Sequence, residues 1–212
     1  MGLEIERRFL VVGDGWRRHV RWQGQLQQGY LAGGADGFTL RVRLSADSTG
    51  ADTTAADTCG ADRCGPDPAA TGQVRAWLTL KAPAAAEQGG REAGPGAGLV
   101  RQEFEYPIPA ADAGALLALT AHRLSKRRHA LDLEGGDWVV DVFEGGNAPL
   151  VVAEVELGSP EQPVPVPDWC GPELTGRHEL SNAALAHTPL ANWAPERRDA
   201  LLQALGSRRK IF

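Results

Sequence analysis

Cysteine is scarce in this 212-residue chain. The three present, Cys59, Cys64 and Cys170, do not suggest a disulfide framework. Cys59 and Cys64 share a Gly/Ala/Asp-rich stretch without the further nearby ligands that structural zinc requires, so a solvated loop is their expected home. No apolar run reaches the roughly 18 residues needed to span a bilayer. Acidic residues stand where a signal peptide would be basic, and no apolar h-region follows, so a cytoplasmic, membrane-free location is expected. A Gly-rich phosphate loop of the dinucleotide or Walker type is absent, as is any repeat of fixed period. The net charge of −5 argues against nonspecific nucleic-acid binding. The six tryptophans are scattered rather than interleaved with basic residues, so they form no base-stacking platform. What remains is a soluble globular chain, 42% hydrophobic, long enough for one domain with a substantial core.

Strand-like segments are expected near 3–12, 26–32, 37–46, 73–82, 99–107, 122–133, 137–145 and 149–157, most of them alternating Val, Leu, Phe or Trp with polar residues. Two segments, 46–72 and 83–98, are dominated by small and polar residues and read as flexible insertions. Gly135-Gly136-Asp137 and Gly145-Gly146-Asn147 read as compact turns between antiparallel strands. Helices are expected over Pro109–Leu119, Leu180–His187 and Pro195–Leu205, with an extended connector over Pro160–Pro167. The chain is therefore read as mainly β (α+β), with helices at the periphery.

The chemistry lies in the charged residues, which recur with period two. Glu4, Glu6 and Arg8 open the chain, followed by Arg41 and Arg43, then Thr79 and Lys81. Arg101, Glu103 and Glu105 come next, then Lys126 and Arg128, Asp141, and finally Glu154 and Glu156. In a strand, side chains at i and i+2 share a face, so each set lines one surface. Two readings fit. A solvated sheet face could carry cross-strand ion pairs. Alternatively, eight strands could close into a barrel with the charges inside. In the second case, glutamates about 6.6 Å apart along a strand can bend to hold one hard cation such as Mg²⁺. The crowded Arg and Lys side chains would then need a polyanion, and phosphate oxygens suit them. Metal on one side and cations on the other make a site for a di- or triphosphate.

The motifs that carry these residues resemble those of the CYTH superfamily, also called triphosphate tunnel metalloenzymes. Glu4-Ile5-Glu6-Arg7-Arg8 is similar to its ExExK signature. The likeness continues through Gln28-Gly29-Tyr30-Leu31, Leu40-Arg41-Val42-Arg43, Leu78-Thr79-Leu80-Lys81 and Arg101-Gln102-Glu103-Phe104-Glu105-Tyr106. It runs on in Leu124-Ser125-Lys126-Arg127-Arg128, Trp138-Val139-Val140-Asp141-Val142-Phe143, Ala153-Glu154-Val155-Glu156-Leu157 and the helical Ser181-Asn182-Ala183-Ala184-Leu185-Ala186. The resemblance implies a closed eight-stranded antiparallel tunnel barrel over 1–192, with 193–212 as a C-terminal helical tail. It also implies Mg²⁺- or Mn²⁺-dependent hydrolysis or cyclisation of a small triphosphate. Inorganic triphosphatase, thiamine triphosphatase, class IV adenylate cyclase and RNA triphosphatase are among the family's activities. A polyphosphate or nucleotide-polyphosphate binding module is the non-enzymatic alternative. By the same resemblance Glu4, Glu6, Asp141, Glu154 and Glu156 would bind metal, with Glu103 and Glu105 in supporting or second-metal roles. Arg41, Arg43, Lys81, Arg101, Lys126 and Arg128 would hold phosphates, and Arg8, Tyr30 and Lys81 would take part in catalysis.

One departure stands out: Arg8 occupies the position of the signature's lysine. Arginine can attract phosphate there but is a poor proton donor, because its pKa exceeds about 12. His19, His122, His129, His178 and His187 are not at ligand spacing, and packing is the expected role of His129. Ser207-Arg208-Arg209-Lys210 reads as a solvated basic end.

Overall fold

Alternation decides the architecture. In β1 (Gly2–Val11), Ile5, Phe9 and Val11 enter a buried cluster with Trp16, Trp138, Val140 and Val155, while Glu4, Glu6 and Arg8 turn the opposite way. The computed structural model describes residues 2–33, 38–47, 73–83 and 99–206. Most of the two expected insertions, with Cys59 and Cys64, and the basic stretch 207–210 lie outside the described residues.

The remaining strands are β2 (Val20–Gly33), β3 (Thr39–Asp47), β4 (Val74–Pro83), β5 (Leu99–Pro107), β6 (Arg123–Leu131), β7 (Asp137–Phe143), β8 (Val151–Glu156) and β9 (Cys170–Glu173). Their order is β5-β4-β3-β2-β6-β7-β8-β1, all pairs antiparallel, and β1 pairs back onto β5 with Glu4 opposite Arg101. Eight strands therefore close into a barrel, as the charged-interior reading requires. β9 was not expected from the sequence. It takes over the edge of β1 beyond β5, with Phe9 opposite Glu173. β2 also begins earlier than expected, at Val20, because β6 pairs with it from there and β3 joins from Gly24, where its apolar pattern is weak.

The register carries every charged set to the interior. Arg8 faces Glu154 across β1 and β8, Arg128 faces Asp141 across β6 and β7, and Arg41, Thr79 and Glu105 fall in line across β3, β4 and β5. The outer faces bury apolar side chains. α1 (Ala110–Ala118) starts after Pro109 and lays Ala113 and Leu117, one turn apart, on Val42 and Ala76. Gly29 permits that crossing, since a Cβ there would come within 2.9 Å of Leu117 and Thr120 side-chain carbons. At the β7 hairpin, Gly136 has φ +144°, and a Cβ would lie 2.5 Å from the Glu156 carbonyl oxygen.

The C-terminal region closes part of one barrel end. After β9 come a short 3₁₀ turn (His178–Leu180), α2 (Asn182–His187) and α3 (Pro195–Gly206). Ser181 caps α2 by accepting a hydrogen bond from the Ala184 N–H. Leu174, Leu180, Leu185, Leu190 and Leu201 pack on Leu10, Leu124, Phe143 and Val152, the inner-face residues where the charged pattern stops. Each fully buried leucine of this kind contributes about 2 kcal/mol of hydrophobic stabilisation. The cap thus covers β6, β7, β8 and β1, while Phe38, Thr39 and Pro83 line the cavity from the opposite side of the barrel.

Candidate functional site

Inside the barrel is a cavity of about 450 Å³, within the range of small-molecule sites. Glu4, Glu6, Arg8, Tyr30, Arg41, Arg43, Lys81, Arg101, Arg128 and Glu154 line it, all of them expected from the sequence. Its charges fall into two groups that meet where Lys81 reaches Glu4 and Arg8 reaches Glu154. Glu4, Glu6 and Glu154 form an acidic wall on β1 and β8; Arg41, Arg43 and Lys81 form a basic wall on β3 and β4.

Each carboxylate of the acidic wall meets a cation of the protein. Lys81 Nζ donates to both Glu4 oxygens at 2.5 and 2.6 Å. Burial opposes ionisation of Glu4, but Lys81 and Arg101 outweigh it and hold the pKa down at about 2. Arg101 Nη2 donates to Glu6 Oε1 at 2.9 Å. Glu154 receives Arg8 Nε at 3.1 Å and Arg128 Nη2 at 2.7 Å, and stays acidic despite its burial because Lys126, Arg8 and Arg128 favour its charge. Glu6 behaves differently. Burial together with the neighbouring Glu4 and Glu154 charges pushes its pKa up, even with Arg101 in contact. Among the described residues no three His, Cys, Asp or Glu side chains already stand at metal-binding distances. Burial and crowding that raise the pKa of one of three carboxylates are nevertheless the donor chemistry that a hard divalent cation relieves. The residues present fit such an ion.

The basic wall has capacity to spare. Arg41 Nη2 meets Thr79 Oγ1 at 3.0 Å, Glu105 at 3.2 Å and Glu103 at 3.4 Å. Arg43 approaches Glu105 at 3.6 Å. Burial and the adjacent Arg41 lower the Arg43 pKa to about 10, so this side chain is the one most in want of a further anion. The buried Nε donors of Arg41, Arg43 and Arg101 have no acceptor among the described residues. Buried donors without partners carry a free-energy cost that oxygen-rich anions remove. Tyr30 is buried at the cavity wall, and burial raises its pKa despite the nearby Arg41, Arg43 and Arg101. Its phenol is therefore a hydrogen-bond donor rather than a base.

Other expected residues lie elsewhere. Lys126 and Asp141 are fully enclosed, and Lys126 Nζ contacts Asp141 Oδ2 at 2.5 Å. Arg128 closes on the same carboxylate with Nε and Nη2 at 2.8 and 2.7 Å. Burial lowers the Lys126 pKa to about 8 although Asp141 favours its charge. Neither Lys126 nor Asp141 is among the residues that line the cavity, although both face inward by alternation. Glu103 and Glu105 support the basic wall through Arg41 and Lys81. Glu156 faces inward by register but is not part of the cavity lining.

The sequence reading missed the cap. Gly176, Arg177, His178, Ser181, Asn182 and Ala183 form part of the cavity wall, and Asn182 Oδ1 accepts from Lys126 Nζ at 3.1 Å. The Ser181-Asn182 motif was visible, but nothing in its spacing shows that it reaches the interior. His122 and His187, distant in sequence, stack at 3.6 Å between ring centroids on the outside. His129 packs against Trp16, as expected.

No protein-family model matches the chain. An inorganic triphosphatase of Acetivibrio thermocellus is 30% identical over 196 residues, covering 91% of this chain and 99% of that protein. A solved structure of the inorganic triphosphatase NE1496 is 28% identical, with a TM-score of 0.50 over 88% of this chain and 95% of its own. A second structure of NE1496 is 29% identical at the same TM-score.

Proposed function

Because the chain belongs to the CYTH, or triphosphate tunnel metalloenzyme, superfamily, we propose that it hydrolyses inorganic triphosphate in this cavity with a divalent cation, Mg²⁺ or Mn²⁺. The observation that carries the reading is one cavity lined both by three crowded carboxylates, Glu4, Glu6 and Glu154, and by cations that include arginines with unpartnered buried Nε donors. Water adds to the terminal phosphorus, the bridging P–O bond breaks, and phosphate and diphosphate leave.

Glu4, Glu6 and Glu154 are the residues that would hold the metal, which when bound neutralises phosphoryl charge and polarises water. The basic wall does the rest of the electrostatic work. Arg41, Arg43, Lys81 and Arg101 bind phosphate oxygens, Arg by its planar fork and Lys as a point charge. With Glu4 and Glu6 holding a cation, Lys81 and Arg101, which pair with them here, would be able to bind phosphate oxygens instead. Tyr30 donates a hydrogen bond from its neutral phenol. A through-bound chain of three phosphates suits a cavity walled by so many cations better than a bulky apolar group does.

Phosphate release from inorganic triphosphate, thiamine triphosphate and ATP, each with Mg²⁺ or Mn²⁺, tests this. Phosphate from inorganic triphosphate is expected. A cyclic product from ATP would replace the reading with a cyclase, and binding without turnover in either metal would replace it with a binding module.

A further inference from the structure

Arg8 bonds more heavily to the cap than to anything in the cavity. Its backbone N–H donates to Thr175 Oγ1 at 3.0 Å, and its carbonyl accepts the Leu174 N–H at 2.7 Å. Its guanidinium donates from Nη2 to the Leu180 carbonyl at 3.1 Å and from Nε to Glu154 at 3.1 Å. The residue is only 5% exposed, and the segment it grips leads directly into the cavity-lining Ser181 and Asn182. One planar group therefore joins a carboxylate of the acidic wall to the cap.

We propose that Arg8 is a positioning residue that fastens the cap segment 174–183 to the acidic wall and sets the orientation of Glu154, and that it does not transfer a proton. The consequence for turnover rests on the triphosphatase reading; the tether itself does not. The chemistry favours arginine for this work. Its donors sit on separate nitrogens in a fixed plane, so two acceptors from different segments are held at once. A lysine concentrates its donors on one nitrogen at the end of a flexible stem, and gives up this geometry while keeping the charge. The cap contributes Arg177, His178 and Asn182 to the cavity wall, so its placement sets the width available to a phosphate chain.

The test is Arg8→Lys, read in two ways. In the metal-free protein, amide exchange at Leu180 and Leu185, whose N–H groups bond Arg177 and Ser181 carbonyls, is expected to quicken about tenfold while β3 and β4 amides keep their rates. With inorganic triphosphate and Mn²⁺, KM is expected to rise about tenfold, with kcat changed less than about threefold and the shape of the pH–rate profile retained. Unchanged exchange at the cap, or acceleration spread evenly over the barrel, overturns the tether. A higher kcat with a new alkaline limb in the pH profile overturns it too, because proton donation would then have been the missing function. Lack of phosphate release by the native protein would overturn the triphosphatase reading and leave the exchange result to judge the tether alone.

Discussion

Two ionic clusters share the barrel interior, and they differ in kind. The Lys126–Asp141 pair is sealed: both groups are fully enclosed and bonded to each other, and Arg128 links Asp141 to the cavity-lining Glu154. The cluster of Glu4, Glu6, Lys81 and Arg101 faces the cavity, and burial together with its acidic neighbours raises the Glu6 pKa there. Both arise from the same period-two pattern. A sealed pair cannot change partners without leaving a buried charge uncompensated, so it braces the fold. An open pair can exchange its partner for a ligand, which is the behaviour the proposed function asks of it. Depth, not charge, separates the two roles.

The sharpest way to break this contrast is to remove the sealed carboxylate. Asp141→Ala strands Lys126 and Arg128 and is expected to cost about 3–5 kcal/mol of stability in urea unfolding. A loss below about 1 kcal/mol would erase the distinction. On the open side, Arg43→Ala is expected to leave unfolding nearly unchanged and to raise KM for inorganic triphosphate about ten- to hundredfold, about 1.4–2.7 kcal/mol. A stability loss equal to that of Asp141→Ala would show that the open cluster also braces the fold.

Two outer-face features calibrate the interior. Arg7 pairs with Glu173 at 2.8 Å with both groups partly solvated. Arg7→Ala is expected to cost about 1 kcal/mol or less by thermal unfolding, because solvent screens the pair. The smallest effect belongs to the His122–His187 stack. Burial and the adjacent His122 depress the His187 pKa, so the folded state favours the neutral ring. Stabilisation from this source is complete above the ordinary imidazole value of about 6.5 and is lost as pH falls through the lower folded-state value. Protection factors of the α2 amides, corrected for intrinsic exchange at each pH, are expected to fall on acidification in the native protein and to stay flat in His187→Gln.

Much of the barrel was legible because alternation writes the two faces of a strand directly into the chain. Glu4, Glu6, Arg41, Arg43, Lys81 and Glu154 all line the cavity as the pattern implied. The same pattern does not encode depth: Asp141 and Lys126 share the inward face but are fully enclosed and do not line the cavity. The cap was hidden for another reason. The bond from Arg8 to the Leu180 carbonyl joins residues 172 apart in sequence, and the residues after β9 form a 3₁₀ turn with no period to read. β9 is four residues long and contains Gly171 and Pro172, the residue types least suggestive of a strand.

The central claim is that the acidic wall takes up a divalent ion at the expense of its internal ion pairs. Titration calorimetry of Mn²⁺ into the native protein, Glu4→Gln and Glu6→Gln tests it most directly, with thermal unfolding of the three proteins matched beforehand. Saturable binding to the native protein and its loss in both variants, together with loss of phosphate release from inorganic triphosphate, is the expected result. Undiminished Mn²⁺ binding and turnover in both variants would contradict the account.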